Sequence, residues 1–225
     1  MADLTLYIAN KNYSSWSLRP WLLLKQAGID FEEVIILLGE PGPERGVRIR
    51  PHSPSGKVPA LRHGSLVVWE SLAIAEYVAE LHPAAQLWPE DRAARAVARA
   101  VSAEMASGFS NMRAALSMNI RRKLTSYKVP DAAAADVARV QEIWRTCREG
   151  YGQGGPFLFG RFSIADAMYA PVVTRFQTYG VAVDDGVRAY MEAVFALPAM
   201  QAWVAAAHEE PHVIAAYEAI TDAQT

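Results

Sequence analysis

A strand-to-helix turn is predicted at Tyr13-Ser14-Ser15-Trp16-Ser17-Leu18-Arg19-Pro20, where three serine hydroxyls lie close together in the sequence. The alternating apolar residues of Leu4–Ile8 precede this turn, and the apolar residues 21–24 follow it. Serine at a helix start usually satisfies an orphan backbone N–H group, so the cluster predicts a helix N-cap. A hydroxyl left free could instead donate to an anion, because the first turn of a helix favours negative charge. The turn by itself leaves both interpretations open.

The sequence on either side of this turn predicts a β-α-β unit. Residues 18–27 are apolar nearly all round a helix, and Gly28 stands where a left-handed C-cap is expected. Residues 31–37 are rich in β-branched side chains, which is typical of a strand. Because a strand, a helix and a second strand follow one another, we expect the two strands to be parallel.

A hairpin and a further helix are predicted after a long loop. Glycine and proline punctuate residues 39–56 and leave little room for regular structure there. Residues 58–61 and 65–69 then predict two paired strands, and Glu70-Ser71 opens an apolar helix. The order β-α-β, loop, β-β-α predicts a small thioredoxin-like sheet with helices on both faces.

The rest of the chain is predicted to be helical. Alanine-rich, helix-forming sequence dominates from residue 91 onward. We therefore predict a thioredoxin-like domain at residues 1–82, a linker at 83–90 and an all-helical domain at 91–225. The Ser-x-x-Asp form of Ser163-Ile164-Ala165-Asp166 predicts a capping box at one helix start. The other predicted helices of this domain cover residues 92–123, 131–149, 186–195, 198–207 and 211–220.

Composition and charge limit the classes of partner. The net charge of −2 and the absence of a Lys/Arg block argue against a nucleic-acid surface, which needs clustered cations. No apolar run approaches the roughly 20 residues that span a bilayer, so no membrane partner is expected. The single cysteine, Cys147, cannot form an internal disulfide and fits a reducing compartment. We therefore expect a cytoplasmic protein.

Neither a metal site nor dithiol chemistry is expected. The five histidines show no ligand spacing, and Pro211 breaks the helix that His208 and His212 would need to form a zinc pair. There is no Cys-x-x-Cys motif, which excludes thioredoxin-type dithiol exchange. Cys147 lies within a predicted helix beside Trp144, and we interpret it as a packing residue.

Five motifs stand in a characteristic order and spacing along the chain: Ser14 to Arg19, Ser55-Gly56-Lys57-Val58-Pro59-Ala60-Leu61, Glu70-Ser71, Leu87-Trp88-Pro89 and Ser163-Ile164-Ala165-Asp166. Together they resemble the glutathione S-transferase superfamily over essentially the whole chain. The serine turn is similar to that of the zeta class, where it reads Ser-Ser-Cys-x-x-Arg, and residues 105–121 resemble a bacterial branch. The resemblance implies an α/β N-terminal thioredoxin-like domain plus an all-α C-terminal domain.

By this resemblance Ser14 faces the sulfur of glutathione, with Ser15 and Ser17 as alternatives for the same role. A free thiol has a pKa near ~8.5, and lowering it by about two units needs roughly 2.7 kcal/mol. One charge-assisted hydrogen bond supplies ~1.5–3 kcal/mol and the helix N-terminus up to ~1 kcal/mol. These contributions suffice without a general base.

The resemblance also implies residues that hold the rest of the tripeptide. Val58 would pair its backbone with the cysteinyl part, in front of a cis Pro59. Ser71 would bind the γ-glutamyl carboxylate and Glu70 its ammonium group. Lys57 would meet the glycyl carboxylate, with His52 as the weaker alternative. Without the resemblance, the same residues would be interpreted as an edge strand and a capped helix.

The candidates for the electrophile site lie in the serine turn and in the first long predicted helix. The apolar stripe of that helix could be core or the wall of a pocket, and methionines suit a pocket that accepts varied shapes. Trp16 stands where zeta enzymes have cysteine, which argues against their cis-trans isomerisation. The candidate residues are Trp16, Met105, Phe109, Met112 and Met118.

The predicted function is that of a glutathione S-transferase that binds glutathione as co-substrate and conjugates it to a small hydrophobic electrophile. A glutathione-dependent isomerase or peroxidase shares the first half of this mechanism and stays open. A binding protein with little turnover is a further alternative. The resemblance also implies a homodimer, with residues 92–123 at the contact.

Overall fold

A computed structural model describes residues 3–220 of the chain, and its first part is built around one four-stranded sheet. The strand order is β2-β1-β3-β4, with β1 parallel to β2 and the other two pairings antiparallel. All five residues of β1 are buried at the centre of the sheet. The predicted parallel pair and the predicted hairpin are thus confirmed. The strands are β1 (Leu4–Ile8), β2 (Glu32–Ile35), β3 (Ala60–His63) and β4 (Leu66–Trp69).

Three helices accompany the sheet: α1 (Ser15–Gln26), α2 (Glu44–Ile49) and α3 (Ser71–Leu81). The apolar residues 21–24 of α1 are buried, and Gly28 has a φ of 67° just after the helix, as the sequence predicted. Together with the sheet, these helices form the predicted thioredoxin-like arrangement.

Helix α2 was not predicted, because residues 39–56 were interpreted as irregular. Glu44 lies in the first turn of α2 and Arg48 in its last turn, where each charge complements the helix dipole. Ile49 is buried and anchors the short helix. A single apolar contact and two charges leave too weak a periodic pattern to be recognised in the sequence.

The remainder of the described chain is helical, with a buried helix at its centre. Fourteen of the fifteen residues of α7 are buried, and α7 packs against α1 and α4. The helices are α4 (Arg92–Ser107), α5 (Ser110–Ala115), α6 (Asp131–Tyr151), α7 (Ile164–Thr178), α8 (Asp185–Phe195), α9 (Pro198–Glu209) and α10 (Ala215–Glu218).

The prediction of one long helix over residues 92–123 was wrong. Helix α4 ends at Ser107, and Phe109 adopts a φ of 57° before α5 begins. Gly108 permits this break, since a Cβ there would lie 2.8 Å from the carbonyl oxygen of Glu104. The Asp136 carboxylate accepts the N–H of Met112 (2.9 Å) in the first turn of α5. The apolar stripe hid the break because it continues on both sides of it.

The prediction of a final helix over residues 211–220 was wrong as well, because only α10 is helical there. Glu210 accepts the N–H groups of Lys11 (2.9 Å) and Asn12 (3.1 Å). The N–H of Ile214 donates to the hydroxyl of Tyr13 (3.3 Å). These contacts draw the segment across the serine turn in a largely extended form.

The predicted capping box of α7 is confirmed. The buried carboxylate of Asp166 accepts the N–H (2.8 Å) and the hydroxyl (2.9 Å) of Ser163 and the N–H of Leu158 (3.0 Å). Burial raises the pKa of this carboxyl to about 6, although the three hydrogen bonds oppose the shift. The box therefore fixes the start of the central helix.

The predicted domain boundaries, 1–82, 83–90 and 91–225, stay a prediction, and residues 1–2 and 221–225 lie outside the described residues. The linker range contains one 3₁₀ turn at Pro83–Ala85. Between residues 3 and 220, no helix is long and apolar enough to cross a membrane.

Candidate active site

Ser14 is the N-cap of α1, as one of the two interpretations of the turn predicted. Its Oγ accepts the N–H of Ser17 over a long 3.4 Å and lies 2.7 Å from the Ser17 Oγ. The Ser17 hydroxyl in turn accepts the N–H of Ala9 (3.0 Å). The Ser17 hydroxyl can therefore donate its hydrogen bond to Ser14 Oγ. The Ser14 hydroxyl is then free to donate to another acceptor.

Ser15 is the first residue of α1 and has a different partner. Its Oγ accepts a hydrogen bond from Nη2 of Arg175 (3.1 Å), which lies on α7. Ser14 and Ser15 are each 7% exposed and line the same cavity, whereas Ser17 is fully buried. The structure therefore brings two of the three candidate hydroxyls to the cavity and turns Ser17 away from it.

A cavity of about 530 Å³ lies between the serine turn, the loop around α2 and the helical part of the chain. A neighbouring cleft of about 270 Å³ shares Trp16, Lys57, Val58 and Arg113 with it. The sequence candidates that line one or both are Ser14, Ser15, Trp16, Lys57, Val58, Pro59, Glu70 and Met118.

Four of the candidates for holding the tripeptide line the smaller cleft, namely Lys57, Val58, Pro59 and Glu70. The Val58–Pro59 bond is cis. Glu70 lies on the cleft wall at the start of α3, with an unusual backbone of φ 68° and ψ 126°. Ser71 is buried as the first residue of α3 and does not line either cleft. His52, a weaker candidate for the glycyl end, stacks on the ring of Tyr7 at 4.6 Å.

Three of the five residues predicted for the electrophile site line neither the cavity nor the smaller cleft. Met105, Phe109 and Met112 are buried in the hydrophobic core, where the break after α4 and the packing of α4 on α7 turn them inward. Only Trp16 and Met118 line the cavity. The expectation of a methionine-lined wall on the first long helix is therefore wrong.

Cationic side chains form much of the wall that the sequence interpretation assigned to apolar residues. The ring of Trp16 lies near two guanidinium groups, that of Arg19 at 4.0 Å and that of Arg113 at 5.3 Å. Arg113 and Arg175 both line the cavity. Within residues 3–220, no carboxylate forms an ion pair with Arg19, Arg113 or Arg175.

Burial affects two of these cations. It lowers the pKa of Arg19 to about 9 and that of Arg175 to about 10, so both remain charged near pH 7. Arg19 donates from Nε to the carbonyl of Met168 (2.9 Å), while its Nη1 is buried and has no hydrogen-bond partner in the described part of the chain. The cavity is therefore positively charged and suited to anions.

The C-terminal segment completes the mouth of the cavity. Tyr217 lines it and lies with its ring 5.6 Å from the ring of Tyr13. The hydroxyl of Tyr13 donates to Glu218 (2.6 Å) and accepts from Arg121 (2.8 Å). Sequence reasoning missed both Tyr217 and Arg175. For Arg175 there was a visible signal, since it is an arginine inside the largely apolar helix α7.

The comparisons with known proteins agree with this architecture. The family model of the glutathione S-transferase N-terminal domain matches residues 13–81, and that of the C-terminal domain matches residues 130–206. The chain belongs to the glutathione S-transferase superfamily. Its sheet and its helical part are those of this superfamily.

Among curated relatives, the maleylacetoacetate isomerase of Rattus norvegicus is 36% identical over 109 residues, which is 48% of this chain and 50% of the relative. A probable maleylacetoacetate isomerase of Caenorhabditis elegans is 37% identical over 104 residues, or 46% and 47% of the two chains. The match thus spans about half the length of these relatives.

Two solved structures match nearly the whole chain. A glutathione transferase homolog from Burkholderia gl BGR1, solved with bound glutathione, has a TM-score of 0.69 and 26% identity, covering 92% of this chain and 98% of its own. A theta class glutathione S-transferase from Xanthomonas axonopodis pv. citri has a TM-score of 0.67 and 23% identity, covering 91% and 98%. The second likeness is one of fold alone.

Proposed function

We propose that this protein is a glutathione transferase in which Ser14 or Ser15 donates a hydrogen bond to the sulfur of glutathione and stabilises the thiolate. The observation that carries the proposal is the position of these two hydroxyls, at the N-terminus of the 12-residue helix α1 and on the wall of one positively charged cavity. Thiolate is the reactive form of the thiol, and both the helix dipole and the hydroxyl favour it. The Burkholderia relative, solved with glutathione bound, supports the same ligand.

The rest of the tripeptide is assigned to the smaller cleft and to Ser71, which is buried next to Glu70 and does not itself line that cleft. Glu70 would bind the ammonium group of the γ-glutamyl end, and Ser71 its carboxylate at the N-terminus of the 11-residue helix α3. The backbone of Val58, next to Pro59, would pair with the cysteinyl part. Lys57 is exposed at the rim, where it can meet the glycyl carboxylate without being desolvated.

In the proposed reaction the sulfur loses its proton to solvent and keeps the electron pair of the S–H bond. That pair forms a carbon–sulfur bond with an electrophile held against Trp16, Arg113 and Met118. In a substitution, the leaving group departs with the electron pair of the bond that breaks. In a ring opening or an addition to a double bond, the displaced electron pair stays on the electrophile, which then takes a proton from solvent. No side chain has to act as a base, because the thiolate forms before the electrophile reacts.

A glutathione-dependent isomerase is the second candidate, and two observations favour it. The curated relatives named maleylacetoacetate isomerase match this chain at 36–37% identity. The guanidinium of Arg113 on the cavity wall also suits an acidic substrate. One feature argues against an isomerase, because Trp16 stands in place of the cysteine of the zeta motif. A panel of maleyl compounds, aryl halides, epoxides and hydroperoxides, assayed with glutathione, separates isomerase, transferase and peroxidase.

We further propose that the protein works in the cytoplasm as a homodimer. The single buried cysteine, Cys147, fits a reducing compartment. The dimer contact would lie within residues 92–123, which contain α4 and α5. Sedimentation equilibrium would detect a mass of twice the 24.7 kDa chain.

The experiment that tests the transferase proposal is ultraviolet difference absorbance of glutathione on titration with the protein at neutral pH. We expect a thiolate band with the wild-type protein and a reduced band with Ser14→Ala or Ser15→Ala. Glutathione that binds without the thiolate band would instead support a binding protein. Full thiolate absorbance in both variants would contradict the serine mechanism.

A further inference from the structure

Arg175 is a buried cation whose orientation is fixed by the backbone. It is 5% exposed, and its Nη1 donates to the carbonyl oxygens of Leu116 and Arg113, the second at 3.2 Å. Its Nη2 donates to Ser15 Oγ at 3.1 Å. The two carbonyls on one side of the guanidinium leave Nη2 aimed at the serine turn.

No negative charge compensates this cation within residues 3–220. Its hydrogen-bond partners are two carbonyls and one hydroxyl, and the other nearby charges, Arg19 and Arg113, are of the same sign. A buried charge costs free energy unless it is paired. The arrangement thus resembles a preorganised site for a charge that arrives with the substrate.

We infer that Arg175 is a positioning residue that holds Ser15 as the hydrogen-bond donor to the glutathione sulfur and supplies positive charge beside the thiolate. The inference rests on the proposed function, which leaves Ser14 and Ser15 unranked. Because Ser15 Oγ accepts from the guanidinium and Ser15 lines the cavity, its own proton is available to an acceptor bound there. Ser15 keeps that proton, and the thiol proton goes to solvent.

Ser14 has a weaker supporting group than Ser15. Its Oγ is hydrogen-bonded to the neutral hydroxyl of Ser17, which accepts the neutral N–H of Ala9. A hydrogen bond in which one partner is charged is roughly twice as strong as one between neutral groups. The cation therefore makes Ser15 the better donor to an anion.

The pKa of the bound thiol tests this inference without a second substrate. It is read from the thiolate absorbance of protein saturated with glutathione, as a function of pH. Arg175→Gln removes the charge, and we expect the thiol pKa to rise by about one to two pH units, as for a unit charge roughly 6 Å from the sulfur. Arg113→Gln is the matched control, because it removes the same charge from the same cavity but has no hydrogen bond to Ser15 among the described residues. We expect it to shift the thiol pKa by less than half as much.

Two further variants separate the role of Ser15 from a general charge effect. In the Ser15→Ala background, Arg175→Gln should raise the thiol pKa by less than half of its effect on the wild type. Equal shifts in both backgrounds, or a glutamine variant that titrates like the wild type, would overturn the inference.

The two serines can also be compared directly, which does not depend on the folding of an Arg175 variant. Ser15→Ala should raise the thiol pKa more than Ser14→Ala does, and the opposite order would overturn the inference. Failure of the proposed function has a different signature. In that case the wild-type protein itself forms no thiolate.

Discussion

Glu70 combines an unfavourable backbone conformation with a place in the candidate site. Its φ of 68° and ψ of 126° suit glycine, and a side chain there costs of order 1–3 kcal/mol. Such strain persists where the surrounding structure imposes it, and it concentrates at functional sites. A carboxylate on the wall of the smaller cleft is a reason to tolerate it.

Two substitutions separate the strain of Glu70 from its charge. Both Glu70→Ala and Glu70→Gly should weaken glutathione binding by about 10- to 100-fold, because each removes a charge-assisted hydrogen bond. Only glycine relieves the backbone strain at this position. The free energy of unfolding of Glu70→Gly should therefore be about 1 kcal/mol higher than that of Glu70→Ala. Isothermal titration calorimetry and urea denaturation measure the two effects. Equal stabilities would contradict the strain, and unchanged affinities would contradict the assigned role.

The sequence predicted the site residues that are close neighbours in the chain, and it missed Arg175, which is distant from them. Ser14 and Ser15 could be recognised because capping and anion binding at a helix start depend on a few consecutive residues. Arg175 lies 160 residues from Ser15, and only the packing of α7 against α1 brings the two side chains together. No local pattern contains that information.

Helix α7 depends on a carboxyl group that is buried inside its own capping box. Asp166 has a folded pKa of about 6 and an unfolded value near ~3.9, so the native protein binds the proton more tightly. The stabilisation that comes from protonating this group is therefore greatest below about pH 4. It is lost as the pH rises through about 6.

Asp166→Ala should lower the free energy of unfolding by about 2–4 kcal/mol at neutral pH, because buried N–H groups lose their acceptor. The variant should also lack the decrease in stability between about pH 4 and pH 6. Urea denaturation across this pH range measures both. Asp184→Ala, which removes the exposed cap of α8, is the matched control and should cost less. A variant with the wild-type pH profile would contradict the assignment.

A second prediction concerns Gly108, at the break between α4 and α5. Gly108→Ala places a Cβ 2.8 Å from the Glu104 carbonyl, so we expect a loss of about 1–3 kcal/mol in thermal or urea unfolding. Gly150→Ala in α6 is the control, since a Cβ there meets nothing within 4 Å. It should be neutral or stabilising by up to ~1 kcal/mol. Equal effects of the two substitutions would contradict the tight contact at Gly108.

Most helices of the C-terminal part could be predicted because their apolar periodicity and caps agree with each other. The failures over residues 92–123 and 211–220 have one cause in common. Side chains distant in sequence, Asp136 in the first case and Tyr13 in the second, accept backbone N–H groups at the starts of the short helices α5 and α10. Periodicity alone cannot detect an end that is capped from elsewhere in the chain.

Across the whole molecule, the C-terminal segment joins the helical part to the serine turn. Tyr13 is central, since its hydroxyl contacts Glu218, Arg121 and the N–H of Ile214. Tyr217 and Met118 then enclose the cavity from that side. These contacts place residues 210–218 beside the cavity, with Tyr217 on its wall.

Tyr13→Phe removes these three hydrogen bonds and keeps the ring. We expect faster amide hydrogen exchange over residues 210–218, because Ile214 loses its acceptor and Glu218 loses one donor. Exchange in β1 and β3 should be unchanged. Tyr77→Phe, whose hydroxyl contacts only His63 among the described residues, is the control and should leave residues 210–218 as they are. Unchanged exchange in the Tyr13 variant would show that the segment is held by other contacts.

The most direct test of the account is a crystal structure of the protein with glutathione bound. We predict that the sulfur lies within hydrogen-bond distance of Oγ of Ser14 or Ser15, with the γ-glutamyl end at Glu70 and Ser71. A complex in which both hydroxyls point away from the sulfur, or a protein that does not retain glutathione at all, would contradict the central claim.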